Sequence, residues 1–390
     1  MNDVLKLVKD EEEYLISIRR DFHSHPEVSL NEFRTAKRIE EELDSFGIEH
    51  RRIGETGVLG IIKGEKNSDK KIILRADIDA LSITETNDVP YKSQNEGVMH
   101  ACGHDIHAAC LLTAAKILQN KRADFGGEIR LCFQQAEEIG AGALQFIAAG
   151  VTDGIDRVFG FHIASDLRSG VIGVKKGINN ASADYFKINV KGKAAHVSTP
   201  EKGIDALYIA SQITIALQAL VTRRTSPIEP LIIGIGKLEA GTAYNIVAEN
   251  AMLEGTVRAT SIETRKRVKK EITDVVKQIA SIYVGTAEIG WKDFTSPLVN
   301  DEEVCDEVST IIERLWGKDS VIKDREVSLG GDDIAEFILK SKGAYAYLGT
   351  ANEENPATCL PVHNGGFDVD ESVLYKGAAM HVAYALEYLN

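Results

Sequence analysis

Between His100 and His107 the chain places three histidines and a cysteine within eight residues, His100-Ala101-Cys102-Gly103-His104-Asp105-Ile106-His107. Cys102 and His104, two positions apart before a helix, have the reach to serve one metal ion or a metal pair, and Gly103 lets the backbone approach closely. His100 and His107 read more simply as buried polar groups. Directly after the apolar run Glu128–Phe133 come two adjacent carboxylates, Glu137 and Glu138. Such a pair at a strand end is expensive to desolvate unless a cation or a donor meets it. The two side chains point in nearly opposite directions, so one can ligate a metal while the other activates a water beside it. His162 closes a further apolar run, and His363 lies near the C-terminus between a strand and a helix. Each residue alone also fits an ordinary buried or solvated side chain. Together Cys102, His104, Glu138, His162 and His363 make a mixed N/O/S ligand set suited to zinc or a similar divalent ion. Five ligands exceed what one catalytic zinc takes, which favours two ions sharing a bridging ligand, ~3.5–4 Å apart. The run Arg75-Ala76-Asp77-Ile78-Asp79-Ala80-Leu81 ends a strand with two more carboxylates, a residue type that fixes the tautomer of a metal-bound histidine.

These residues need a scaffold. Residues 4–20 predict an amphipathic helix, and Asn31–Phe46 a second one ending at Gly47. Apolar runs at Gly57–Ile62, Lys71–Ala76, Glu128–Phe133 and Arg157–His162 predict strands, the last ending at His162. Helical stretches at His107–Leu118 and Gly142–Ala149 fall between them. Alternation of this kind argues for an α/β sheet covered on both faces, with the chemistry at the carboxyl ends of its strands. From about Ala183 the texture becomes strand Tyr185–Val190, helix Gly203–Thr222, strands Leu231–Leu238 and Ala251–Arg258, helix Ile262–Tyr283 and strand Ala287–Lys292. That is β-α-β-β-α-β, a compact inserted domain. The first texture resumes with helix Asp301–Trp316, strand Ala344–Gly349 and helix Glu371–Leu389. The reading is a discontinuous domain, 1–182 and 295–390, interrupted by a second at 183–294, with the crevice between them as the expected substrate site.

Composition bounds the partners. The 390 residues are 44% hydrophobic and 27% charged, with a formal net charge of −14. A chain this acidic is a poor match for a polyphosphate, so no nucleic-acid partner is expected. No apolar run reaches the ~20 residues of a membrane span, and the acidic N-terminus shows no signal-peptide core. Five cysteines at irregular spacing make no disulfide framework, which fits a cytoplasmic protein with reduced thiols. Gly140-Ala141-Gly142 lacks the third glycine of a dinucleotide turn, no Walker lysine follows, and no Gly-x-Ser-x-Gly elbow is present.

The motifs that carry this chemistry resemble those of the M20 metallopeptidase family, specifically its amidohydrolase branch of N-acyl-amino-acid and hippurate-type hydrolases. The resemblance runs from Arg19-Arg20-Asp21-Phe22-His23-Ser24-His25-Pro26-Glu27 through Arg75–Leu81, His100–Asp105 and Gln135-Ala136-Glu137-Glu138. It continues through Gly192-Lys193-Ala194-Ala195-His196, Gly255-Thr256-Val257-Arg258 and Val362-His363. It implies a zinc-peptidase-like α/β domain with a mixed sheet, carrying an inserted ferredoxin-like lid through which members often form homodimers. It implies two divalent ions (zinc, manganese, cobalt or nickel), Cys102 bridging them and His104, Glu138, His162 and His363 completing their shells. Glu137 becomes the general base, Asp79 the aspartate that orients a metal ligand, with Asp77 the other candidate. His196 becomes the oxyanion donor, across a dimer interface, and Asn245 and Arg258 hold a substrate carboxylate. The implied substrate is a small N-acyl amino acid. A dipeptidase or carboxypeptidase, an N-acetyl-diaminopimelate deacetylase, and a non-catalytic binding protein are the alternatives. Departures from the family pattern include Ser82 for proline, Asn245-Ile246-Val247-Ala248 in the lid, Asn364-Gly365-Gly366 after His363, and Gly330-Gly331-Asp332-Asp333-Ile334, where Ile334 replaces a phenylalanine expected at the pocket.

Overall fold

The computed structural model describes Asn2–Asn390. Two compact units form. One comprises the chain up to Asn179 with Val299–Glu326 and Asp332–Asn390, and the other comprises Asn180–Leu298 with Val327–Gly331.

The first unit is built on an eight-stranded mixed sheet. Its strands β1 (Glu49–Ile53), β2 (Gly57–Lys63), β3 (Lys66–Asp77), β4 (Gly126–Gln134) and β5 (Arg157–Arg168) lie in the order β1-β2-β4-β3-β5. Strand Lys342–Ala351 follows, then the short strands Ile172–Gly173 and Val321–Ile322. β3 runs parallel to β4, with Asp77 opposite Gln134, and parallel to β5 as far as Arg75 opposite Gly160. β3 and β4 therefore end together beside β5, and the carboxyl ends of strands are where open α/β sheets gather their chemistry. Alternation along β5 shows both faces covered. Phe161 leaves no room for a Cβ on Gly377 of helix Leu374–Leu389, while Gly160 lies against Ile334 of helix Ile334–Ile338.

Helices α1 (Asn2–Asp10), α2 (Glu12–Ser24), α3 (Phe33–Phe46) and α4 (His104–Asn120) complete the elements that matter for the site. Residues 104–115 of α4 are all buried, because the helix is packed on one side by β3–β5 and on the other by α2 and helix Leu374–Leu389. A helix enclosed in this way carries no polar stripe, which is why His104–Leu118 is apolar nearly all round, its polar residues being His104, Asp105, His107, Thr113 and the half-buried Lys116, which pairs with Glu11.

Three expectations are corrected, and one strand was missed. The single helix over 4–20 is two, broken at Glu11, which lets α1 follow helix Leu374–Leu389 while α2 follows α4. The polar strand β1 was not anticipated; it borders the sheet and is half exposed. β5 does not end at His162 but runs on to Arg168, because strand Lys342–Ala351 stays paired with it after β3 has left. Ile334 faces no pocket: it is fully buried against Gly160.

The second unit has strands in the order Thr286–Thr295, Ala183–Lys191, Asn250–Ala259, Leu231–Ala240, all antiparallel. Phe186, Ile188 and Val190 turn inward while Tyr185 and Asn189 turn out, the period-two pattern of a sheet with one packed face. Helices Ala206–Arg224 and Ile262–Ile282 cover that face. Each starts on a side-chain cap, Asp205 accepting from the Leu207 and Tyr208 amides and Ser261 from that of Thr264. No helix among the described residues is long and apolar enough to cross a membrane.

Candidate metal centre

Asp79 organises the site. It lies two residues beyond the end of β3, and its carboxylate accepts the backbone N–H of Glu137 at 3.1 Å, that of Glu138 at 3.0 Å and the Ser29 hydroxyl at 2.7 Å. Burial works against its charge, but these donors and His104 hold its pKa below the usual carboxylate value. The turn it captures is unusual: Ala136 has φ 54°, a left-handed conformation rarely tolerated by a non-glycine residue. The Ala136 N–H is itself held by Glu32 Oε1 at 2.9 Å. Glu137 and Glu138 are thus fixed by their backbone, leaving both side chains free for chemistry.

The three histidines are prepared in the same manner. Gly103, at φ 81°, caps α4 in a conformation where a Cβ would stand 2.5 Å from Ile163 Cγ1. His104 Nδ1 faces the carbonyl of Asp79 at 2.9 Å and His162 Nδ1 that of Ile163 at 2.6 Å. A carbonyl only accepts, so in its neutral form each ring carries its proton on Nδ1 and presents a bare Nε2. His363 stands at φ 65°, with its N–H bonded to the Ala101 carbonyl at 2.8 Å.

The ring nitrogens converge. His162 Nε2 is 3.3 Å from Cys102 Sγ, and His363 Nε2 is 3.4 Å from Glu138 Oε1. His104 Nε2 and Glu138 Oε1 are buried without any hydrogen-bond partner. Donor atoms of Cys102, His104 and His162 all lie within 4.8 Å of one another, and so do those of Cys102, Glu138 and His363. Two three-donor sets therefore meet at one sulfur. Ligand-to-metal bonds of ~2.0–2.3 Å put neighbouring donors about 3.3–3.7 Å apart, so these spacings fit divalent ions. The electrostatics fit as well. Burial, then Glu138, Glu137 and Asp77, push the Cys102 thiol well above its ordinary pKa. Burial opposes the charged form of His104, yet Asp77, Asp79 and Glu138 together raise it to about 10. A pocket this rich in negative charge calls for cations.

Two other acidic groupings are already satisfied by the protein. Asp77 is held by Arg75 Nη1 at 2.6 Å and faces His107 Nδ1 at 2.5 Å, so its hydrogen-bond partners are Arg75 and His107, while His104 Nε2 stands 3.8 Å away. Asp333 accepts from Arg75 Nη2 at 2.9 Å, Gln134 Nε2 at 2.7 Å and the Ala143 N–H at 3.1 Å, and Asp332 accepts from the Tyr345 hydroxyl and the Ile334 N–H. Both lie with Glu137 in one carboxylate group, and burial followed by Asp332, Glu138 and Asp333 raises the Glu137 pKa well above its ordinary value. Sequence reasoning assigned no role to Arg75, His107, Asp332 or Asp333; the Arg75–Asp77 spacing was the one signal available.

A second buried network anchors the start of α4. Asp105 Oδ2 accepts from Arg19 Nε at 2.8 Å and faces His23 Nδ1 at 2.8 Å, while His23 Nε2 faces Glu85 Oε1 at 3.2 Å. Burial raises the Asp105 pKa, but Arg19 and His23 outweigh it and hold the carboxyl far below its ordinary value. Replacing Asp105 by Asn removes the shortest carboxylate contact of buried Arg19, which keeps Glu371 Oε1 at 3.1 Å, an expected loss of ~1.5–3 kcal/mol in stability at pH 7. The depressed pKa means that this stabilisation is present above the unfolded value of ~3.9 and is lost as pH falls below it. Urea titrations of both proteins should therefore show the gap narrowing below about pH 4.

In the second unit, His196 is paired with Ile246 across an isolated bridge, and Val197 N–H donates to the Asn245 carbonyl. His196 Nδ1 accepts the Ser198 N–H at 3.1 Å and faces the Ser198 hydroxyl at 2.7 Å. The neutral ring then carries its proton on Nε2, available as a donor. Arg258, half-buried in strand Asn250–Ala259, has no ion-pair partner among the described residues, and burial lowers its pKa despite Asp184. The structure thus brings together Cys102, His104, Glu137, Glu138, His162, His363 and Asp79 in the first unit, and places His196, Asn245 and Arg258 in the second.

Residues 73–387 match the sequence profile of peptidase family M20/M25/M40. A thermostable carboxypeptidase of Saccharolobus solfataricus is 41% identical over 98% of this chain and 97% of its own length. An N-acetyl-L-cysteine deacetylase of Bacillus subtilis is 38% identical over 97% of this chain and 90% of its own, and the hippurate hydrolase of Campylobacter jejuni 37% identical over 95% and 96%. A Bacillus subtilis protein, described as a dinuclear metal-binding peptidase of the M20 family, superposes with a TM-score of 0.84 at 35% identity, covering 98% of this chain and 99% of that one.

Proposed function

Because the chain belongs to peptidase family M20/M25/M40 and two donor sets meet at Cys102, we propose a metal-dependent amidohydrolase that cleaves N-acyl amino acids to a carboxylate and a free amino acid. The observation that carries this reading is one sulfur shared by two donor triads, beside a carboxyl, Glu137, that stands outside both. Cys102, His104 and His162 would hold one divalent ion, and Cys102, Glu138 and His363 the other. Bound there, the ions supply Lewis-acid polarisation of the amide carbonyl and acidify the attacking water. Glu137 takes the proton of that water and delivers it to the leaving nitrogen; its buried, carboxylate-rich surroundings favour a group that holds a proton between the two transfers. Asp79 keeps His104 in the tautomer that bares Nε2.

His196, with its Nε2–H free, is the proposed oxyanion donor. Removing such a donor costs ~10²–10³ in kcat, so His196→Ala should show that loss with KM changed far less in steady-state assays. Arg258, a half-buried cation without an ion-pair partner among the described residues, and Asn245 are proposed to hold the substrate carboxylate. Zinc, manganese, cobalt and nickel all suit the donor set. Homodimerisation through the second unit is supported by exposed Leu207 and Ile215 on helix Ala206–Arg224 and by Ile232 and Leu238 on the outer strand Leu231–Ala240. A cytoplasmic location rests on the sequence alone.

The carboxypeptidase relative favours a second reading, peptide-bond hydrolysis by the same groups. A panel of N-acetyl and N-benzoyl amino acids run beside free dipeptides and N-blocked peptides, with stripped and metal-reloaded protein, decides between them. Metal-dependent release of amino acid from the simple N-acyl compounds is expected. Turnover of peptides alone would overturn the first reading.

A further inference from the structure

His107 is buried and belongs to neither donor triad that contains Cys102. Its position follows from a gap in the sheet. β5 keeps its β3 neighbour only as far as Gly160, so the Ile163 N–H projects where no strand receives it. A buried N–H left unpaired costs ~1–3 kcal/mol. Here it donates to His107 Nε2 at 3.0 Å. A ring nitrogen that accepts carries no proton, so the proton of the neutral ring is on Nδ1, which faces Asp77 Oδ1 at 2.5 Å. Asp77 is anchored in turn: its other oxygen is held by Arg75, whose remaining donors go to Gln134, Asp332 and Asp333.

The other half of the same residue completes the arrangement. The Ile163 carbonyl accepts from His162 Nδ1–H at 2.6 Å, and this bond aims His162 Nε2 at Cys102 Sγ. One residue, Ile163, is thus gripped by His107 at its N–H and sets His162 through its carbonyl. The two rings also touch, edge to face, with centroids 4.7 Å apart.

We propose that His107 is a positioning residue: fixed as the Nδ1–H tautomer between Asp77 and the Ile163 N–H, it holds the strand at the setting in which His162 completes its triad with Cys102 and His104. It is not itself a ligand, because both ring nitrogens are engaged. The grouping of Asp77, His104 and His107, whose donor atoms lie within 4.8 Å of one another, is therefore a clamp and not a third metal site. The effect of His107 on metal affinity rests on the dinuclear reading; its tautomer does not.

Two measurements test this. In metal-free wild-type protein labelled with 15N at histidine, long-range 1H–15N correlation should show His107 protonated at Nδ1 and bare at Nε2. The opposite tautomer would overturn the arrangement, whether or not any variant folds. Zinc titration by calorimetry should then show His107→Leu weakening one of two binding steps ~10–100-fold while leaving the other nearly unchanged. His107→Gln, whose amide offers a donor and an acceptor at a similar separation, should recover most of the loss. A His107→Leu protein that binds both zinc ions as tightly as wild type would overturn the positioning role. Wild-type protein that binds fewer than two zinc ions would instead reject the dinuclear reading, and the tautomer measurement would still decide the hydrogen-bond clamp.

Discussion

Glu137→Gln should retain both metal ions and lose ~10²–10⁴ in turnover. The substitution keeps the shape of the side chain and removes only its ability to take up a proton. The residue is fixed from its backbone, through the Asp79 carboxylate on its N–H, and its side chain belongs to neither triad sharing Cys102, so the metal donors remain in place. Uniform loss of kcat at constant metal content, measured by elemental analysis of the same samples, is the expected pattern. A loss below about tenfold would remove Glu137 as the base. A loss of metal would make it a ligand.

Cys102→Ala should have a wider effect, because one atom serves both triads. Its removal leaves His104 with His162 and Glu138 with His363, two donors each where three stood. Both zinc-binding steps should weaken by at least ~100-fold if each behaves like a site stripped of a ligand. Thermal unfolding gives an independent readout. A ligand present at about 100 times its Kd stabilises the native state by ~2.7 kcal/mol, so the melting temperature of the wild type should rise steeply with added zinc and that of the variant should not. The alanine also removes a thiol that burial and three carboxylates hold protonated, so the metal-free variant should be no less stable than metal-free wild type by more than a small cavity term. Loss of only one binding step would show that the sulfur belongs to a single ion.

The residues whose donor atoms converge were legible because their types are rarely placed together without a reason: a cysteine and histidine two apart, paired glutamates behind an apolar run, and a histidine at the end of another. The βαββαβ texture of the second unit was legible because its strands alternate and its helices are long. What could not be read was set by distant contacts. Arg75 meets Asp333 across 258 positions, and the His107–Ile163 bond spans 56; no local pattern announces either. Ala136 and His363 adopt left-handed conformations that their residue types do not suggest. The end of β5 was misplaced because a strand stops where its partners stop, and one of its partners, Lys342–Ala351, lies far along the chain. Ile334 was assigned to the pocket from a single departure in a motif, whereas the packing of Gly160 against it places it in the core.

The central claim is that Cys102 is shared between two divalent ions. Crystals grown with zinc and measured on both sides of its absorption edge test it directly. Two anomalous peaks about 3.5–4 Å apart, each within bonding distance of the Cys102 sulfur, are expected. One peak, or two of which only one reaches that sulfur, would contradict it.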